Sequence, residues 1–138
     1  MPLRYALDTS AILTHFLDEP GAEVVDEILS KGKKGAFLPL PVWAELERRL
    51  EELIADAVEA ELVWFRYTQE LCGMVPLDEA AIRSAMALRK SSPDRLPLID
   101  ALIAGCAKAN ELPLVHRDAH LAAISESTLR AVVLPAKR

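Results

Sequence analysis

Apolar and polar positions change period repeatedly along the chain, and the changes mark out alternating strands and helices. LRYAL is a short apolar run ending at Asp8, where a first strand is expected to pass into the helical spacing of SAILTHFLDEP, with Asp8, Thr9 and Ser10 as capping candidates. Pro20 and Gly21 break the chain, Ala22 to Ser30 form a second amphipathic helix, and KGKKG turns into the strand-like AFLPL. Pro41 suits the first turn of a helix, and helical periodicity then persists from Val42 to about Gly73, enough for two helices. Trp43, Leu46, Leu50 and Ile54 lie on one stripe and Leu62, Phe65 and Leu71 on another, with Glu59 and Glu61 beginning or flanking the second helix. Met74 to Leu77 is a strand candidate, and Asp78 caps a helix running to about Lys90. After the loop SSPDRLP comes a helix broken near Asn110, in which Leu98, Ile99, Leu102, Ile103 and Cys106 mark the core side. LPLVH, RDAHLAAI and LRAVVLP read as strand, turn with short helix, and final strand.

Strands alternating with helices at this spacing require crossovers, so the expected fold is a three-layer α/β/α sandwich around a mainly parallel sheet. The 138 residues suit a single domain spanning 1–138, and 51% hydrophobic with 27% charged residues is an ordinary globular mixture. No apolar run approaches the ~18 residues of a spanning helix, and MPLRYALDTS carries a charge before any export-type apolar segment. A soluble, unexported, cytoplasmic protein is expected.

Cys72 and Cys106 stand in apolar helical surroundings without a CxxC partner, which suits small buried hydrophobes in a reducing compartment. His15, His116 and His120 lack HExxH or CxxC companions, so a zinc site is not expected. A net charge of −5 excludes a broad basic surface as the main hold on nucleic acid, but leaves room for phosphate binding through metal ions. The local basic clusters at Lys31, Lys33 and Lys34, at Arg48 and Arg49, and at Arg89, Lys90 and Arg95 read first as solvated faces or helix ends.

Four acids stand out by position. Asp100 is the only ionisable residue in LPLIDALIAGCA, and a carboxylate beside a core is rare unless paired or bound to a cation. Asp8 and Asp118 each follow a predicted strand, on the carboxyl edge where open α/β sheets gather their ligand sites. Glu45 sits on the flank of the Trp43, Leu46, Leu50 stripe. Each also has a plain structural reading: a helix cap for Asp8, a turn acid for Asp118, a solvated acid for Glu45, and a first-turn acid favoured by the helix dipole for Asp100.

Taken in order and spacing, LDTSAIL, the Glu of VWAELERR, LPLIDALIAGCAKANELPLV and HRDAHLAAI resemble PIN-domain nucleases. More narrowly, the chain length and the DALIA segment are similar to the toxin ribonucleases of VapBC toxin–antitoxin pairs, and the resemblance covers nearly the whole sequence. It implies that Asp8, Glu45, Asp100 and Asp118 are the catalytic acids. One departure is the pair His116 and Arg117 before Asp118, where the family often has Thr or Ser two positions before that acid; a hydroxyl contact near the site is therefore in question.

The resemblance further implies Mg²⁺ or Mn²⁺ as cofactor, since hard divalent cations take carboxylate oxygen and water. Asp8 and Asp100 are the first choice of ligands. Asp118 would complete a second metal position or hold a water, and Glu45 would orient or deprotonate the attacking water. Clustered carboxylates repel, so their pKa values should rise and their titrations couple until cations bind.

The implied reaction is hydrolysis of phosphodiester bonds in single-stranded or looped RNA, with Arg95, Arg117 and the Lys31 to Lys34 turn as backbone contacts. The implied partners are RNA, a cognate antitoxin that blocks the site, and a second copy in a homodimer. Trp43, Trp64, Phe65 and Tyr67 are candidates for such surfaces or for the core. A housekeeping RNA-processing nuclease and an inactive α/β binding module are the competing readings. A phosphoacceptor or phosphatase fits less well, because Asp8 is followed by Thr9 and Ser10 rather than by a second adjacent acid.

Overall fold

Five short strands order themselves as β3-β2-β1-β4-β5, every neighbouring pair parallel, in a computed structural model that describes residues 3–137. Residues 1, 2 and 138, the ends of the expected domain, lie outside the described residues. The strands are β1 (Tyr5–Leu7), β2 (Ala36–Pro39), β3 (Gly73–Val75), β4 (Leu114–His116) and β5 (Ala131–Val133). Between them run α1 (Thr9–Phe16), α2 (Ala22–Leu29), α3 (Leu40–Leu53), α4 (Ala57–Phe65), α5 (Glu79–Ser91), α6 (Leu98–Ala109) and the short α7 (Ala119–Ala122).

Successive side chains of a strand point to opposite faces, so a strand buried at every position is covered on both sides. Ala6 and Leu7 of β1 and all three residues of β4 are buried, which makes the centre of the sheet the middle layer of an α/β/α sandwich. The expected fold class is therefore the one observed, with the sheet parallel throughout.

Helix ends follow the capping residues closely. Asp56 accepts hydrogen bonds from the amides of Val58 and Glu59 and starts α4 earlier than Glu59 or Glu61 alone would suggest. Asp78 caps α5 as the sequence predicts, by accepting from the Ala81 amide. The long helical stretch ends as a π-helical turn, Arg66–Leu71, from which β3 leaves one residue before the predicted Met74.

The buried face of α6 differs from the one its large apolar residues predict. Leu98 and Ile99 are exposed, whereas Ala101, Ala104, Gly105 and Ala107 are buried with Ile103 and Cys106. Small residues are what a close helix crossing needs: a Cβ on Gly105 would lie 2.4 Å from the Ala81 carbonyl oxygen of α5. This tight seam fixes α6, and with it Asp100, against the rest of the fold.

Cys72 and Cys106 are free, buried thiols, pushed by burial up to about 12 and about 11, as expected of small core residues rather than reactive ones. Among the described residues no helix is long and apolar enough to cross a membrane. Trp43 and Trp64 pack edge to face at 5.6 Å, and Tyr67 is buried, while Phe65 is half exposed.

Candidate active site

The order of the strands places a topological switch at β1: the chain goes first to β2 on one side and later to β4 on the other. In such sheets the crevice outside the carboxyl ends of the two diverging strands is the natural ligand site. Leu7 of β1 pairs with Val115 of β4, and the Asp8 amide donates to the Val115 carbonyl at 3.0 Å. Asp8 and Asp118 therefore leave the sheet side by side.

Asp8 is both a cap and something more. Its Oδ2 accepts from the amide of Ser10 at 3.1 Å and from the Ser10 hydroxyl at 2.5 Å, which holds the start of α1. Its Oδ1 is buried with no hydrogen-bond partner. Burial pushes the carboxyl up to about 7 against those Ser10 bonds, and the charges of Glu45 and Asp100 add to the rise.

Asp118 likewise caps its own turn, its Oδ1 accepting from the amides of His120 and Leu121 at 2.8 and 3.1 Å. The buried His116 occupies the position where a hydroxyl was in question. Its Nδ1 accepts from the Asp118 amide at 3.1 Å, so it shapes the backbone at the end of β4, and burial holds its ring below the ordinary histidine range. The hydroxyl comes from another element: Ser10 Oγ, besides donating to Asp8, accepts from the Arg117 amide at 2.9 Å and so ties the β1 edge to the β4 edge.

Asp100 stands in the first turn of α6 with its side chain 14% exposed. Burial first, then the charges of Asp118 and Glu45, push its carboxyl up to about 6, while His120 pulls the other way. Glu45 reaches the same place from α3, which starts directly after β2 with Pro41 in its first turn.

All four sequence-predicted acids line one cleft of about 360 Å³, together with Thr9, Ser10 and Glu19. Its basic lining is Arg48, Arg49, Arg117 and Lys137. Glu19 accepts from Arg117 at 2.7 Å and lies 3.3 Å from Lys137, and these two cations hold its carboxyl below the usual range, Arg117 foremost. Arg95 is absent from the lining, and the Lys31 to Lys34 turn precedes β2 and so lies at the opposite, amino-terminal edge of the sheet. Sequence reasoning missed Glu19, Lys137 and His120 as neighbours of the site; only the spacing of His120 from Asp118 offered a signal.

A wider hollow of about 960 Å³ opens at that amino-terminal edge. It gathers no acids beyond Glu111; of its cations, Lys108 and Arg130 are tied to the backbone carbonyls of Thr128 and Glu111, and the Arg4 guanidinium lies over the Phe37 ring. The cluster of acids lies at the other edge.

A family model of the PIN domain matches residues 5–127. The chain belongs to the PIN-domain family. No curated protein is significantly similar to it in sequence. Solved structures share the fold at low identity. VapBC2 from Rickettsia felis, bound to a DNA fragment from its promoter, aligns at 14% identity with a TM-score of 0.75, covering 96% of this chain and 100% of the other. DNA-bound VapBC from Salmonella typhimurium aligns at 20% identity and TM-score 0.74, covering 95% and 98%. VapBC-5 from Mycobacterium tuberculosis aligns at 21% identity and TM-score 0.69, covering 96% and 99%. Within this PIN domain, Asp8, Glu45, Asp100 and Asp118 are drawn from the β1–α1 junction, α3, α6 and the β4–α7 turn, and no two share an element.

Proposed function

We propose that this PIN domain is a divalent-metal-dependent endoribonuclease and the toxin of a type II toxin–antitoxin pair, acting in the cytoplasm. The observation that carries the reading is Asp8 Oδ1, a carboxylate oxygen buried without a donor in a cleft that Glu45, Asp100 and Asp118 also line. Such a set is costly unless a cation joins it. Carboxylate oxygens are the donors that Mg²⁺ and Mn²⁺ prefer, so the residues fit the ion.

Asp8, Asp100 and Asp118 are its proposed ligands, and Glu45 the group that orients or accepts a proton from the attacking water. When bound, the ion polarises water and offsets charge gathering on the phosphate. Arg48, Arg49, Arg117 and Lys137 provide cations at the cleft wall for the RNA backbone, with Glu19 holding Arg117 and Lys137 in place. The narrow basic lining, rather than a basic surface, reconciles RNA binding with a net charge of −5.

Similarity to VapBC complexes supports an antitoxin partner. So does α4, which is apolar nearly all round yet leaves Val58, Leu62 and Phe65 exposed at helical spacing. Beside it, between α3 and α4, a groove floored by Ile54, Ala60 and Trp64 is rimmed by Glu47, Glu51 and Glu61, which favours a partner segment carrying Lys or Arg. A homodimer is the proposed resting assembly.

The test is cleavage of single-stranded RNA by the purified chain with Mg²⁺ or Mn²⁺, beside Asp8→Asn and Asp100→Asn. Loss of cleavage in both variants is expected; equal cleavage by both would sink the site. Growth arrest on expression, relieved by a neighbouring small reading frame, separates a toxin from a housekeeping nuclease.

A further inference from the structure

His120 has no role in the mechanism above, yet it stands against two of its acids. Nδ1 of His120 lies 3.5 Å from Asp118 Oδ1 and 3.7 Å from Asp100 Oδ2, and donor atoms of the three side chains fall within 4.8 Å of one another. Both separations exceed the about 2.7–3.2 Å of a hydrogen bond. Ligands held about 2.1 Å from one ion stand about 3 Å apart at right angles and about 4.2 Å apart when opposite. Both His120 separations fall between those limits, as for ligands around a single cation.

The placement of His120 is built rather than incidental. Asp118 fixes the His120 amide through its cap, and the buried Leu121 anchors the next residue, so the imidazole is held beside the acid by a short, tied turn. The side chain is 56% exposed and reaches the mouth of the cleft without rearrangement. An independent sign of a cation site comes from the β1 side of the same cleft, where Asp8, only 3% exposed, keeps Oδ1 without a partner.

We infer that Asp100, Asp118 and His120 form a cation position whose nitrogen ligand makes it select Mn²⁺ over Mg²⁺. The inference rests on the metal-dependent nuclease reading and adds an ion preference to it. Mg²⁺ is small and hard, keeps most of its water and takes oxygen ligands, whereas imidazole suits first-row transition ions. Mn²⁺ shares with Mg²⁺ the preference for carboxylates and, as a first-row transition ion, accepts an imidazole beside them more readily than Mg²⁺ does. His120 is then a specificity-determining ligand, and α7 exists to present it.

The experiment loads the full-length chain with Mn²⁺ alone and records electron spin-echo modulation, with calorimetric titration of Mn²⁺ and Mg²⁺ in parallel. Coupling of bound Mn²⁺ to a ¹⁴N nucleus is expected, and it should vanish in His120→Ala. The same variant should bind Mn²⁺ at least about tenfold more weakly while its Mg²⁺ affinity changes less than about twofold. Because His120 is exposed, an unchanged circular dichroism spectrum checks that the variant folds.

Mn²⁺ bound in the native chain and lost in Asp100→Asn, but without nitrogen coupling, would overturn the inference and leave the nuclease reading standing. Coupling that persists in His120→Ala, or equal losses for both ions, would overturn it as well. Failure of the native chain to bind either ion would overturn both readings.

Discussion

Ser10 Oγ donates to Asp8 Oδ2 at 2.5 Å, and the Ser10 amide donates to the same oxygen at 3.1 Å. All the hydrogen bonding that Asp8 receives is thereby placed on one oxygen, which leaves Oδ1 without a donor. A helix cap and a candidate ligand atom are thus the two halves of one carboxylate, and Ser10 decides which half does which.

Replacing Ser10 by Ala removes a bond that favours the charged form of Asp8, so the Asp8 carboxyl should rise beyond about 7. The Arg117 amide also loses its acceptor, at a cost of about 1 kcal/mol. The expected outcome is an acid limb of the pH–rate profile displaced to higher pH, with modestly lower stability in urea. An unmoved acid limb would remove Ser10 from the site.

The metal-free protein should lose stability as pH rises. Asp8 and Asp100 have folded pKa values of about 7 and about 6, against an ordinary 3.8. Between the ordinary and folded values these two groups hold more protons in the native state than in the unfolded chain, so their contribution to the slope of stability with pH is negative over roughly pH 4 to 7. The melting temperature in a chelating buffer is expected to fall by roughly 5 °C or more from pH 5 to pH 8. Asp8→Asn should flatten that slope, and added Mn²⁺ should raise the melting temperature more at pH 8 than at pH 5. A chelated native protein equally stable at both values would argue against burial of these carboxyls.

Glu19 carries the opposite sign. Its carboxyl is held below the ordinary value, so its contribution is present at neutral pH and fades as pH falls through the depressed folded value. Glu19→Gln leaves Arg117 without its carboxylate at a site where both side chains are mostly buried, and should cost about 1–3 kcal/mol at pH 7. The deficit should shrink near pH 3, a comparison read from urea unfolding at the two pH values. RNA affinity should fall too, because Arg117 and Lys137 lose the group that positions them.

Gly105→Ala tests the seam between α5 and α6. The new methyl meets the Ala81 carbonyl at 2.4 Å and Ala85 Cβ at 2.8 Å, so one helix must shift, at about 1–3 kcal/mol. Since α6 bears Asp100, the variant should also lose cation affinity beyond what its stability explains. Calorimetry at a temperature where the variant is fully folded separates the two effects.

Much of this arrangement was legible in the sequence where a residue's role follows from its place along the chain. Asp8 and Asp118 follow strands, and an acid after a parallel strand lands on the carboxyl edge whatever its neighbours do. Asp100 declared itself by an apolar setting, and Glu45 only through the family resemblance, because one helical acid among several looks like any other. The predicted face of α6 was wrong at Leu98 and Ile99, since hydrophobicity marks which residues avoid water but not that a close crossing selects the small ones. Ser10, Glu19 and Lys137 act through side-chain contacts across elements, and the pairing of Ser10 with Arg117 joins opposite ends of the chain. The lysines of the KGKKG turn failed for a topological reason: a residue before a strand belongs to the other edge.

The central position of β1 has a bearing on synthesis. During synthesis β1 finds β2 early, but its second neighbour, β4, follows only after β3 and the helices on either side of it. Asp8 and Glu45 are then already present, while Asp118 and His120 are not, and the sheet edge meant for β4 stays open. The nascent chain is therefore an incomplete sheet without a finished cleft, and the acids meet in a single late docking event. Such long-range closure is slow by the standards of local folding, so the acids of this edge come together late in folding.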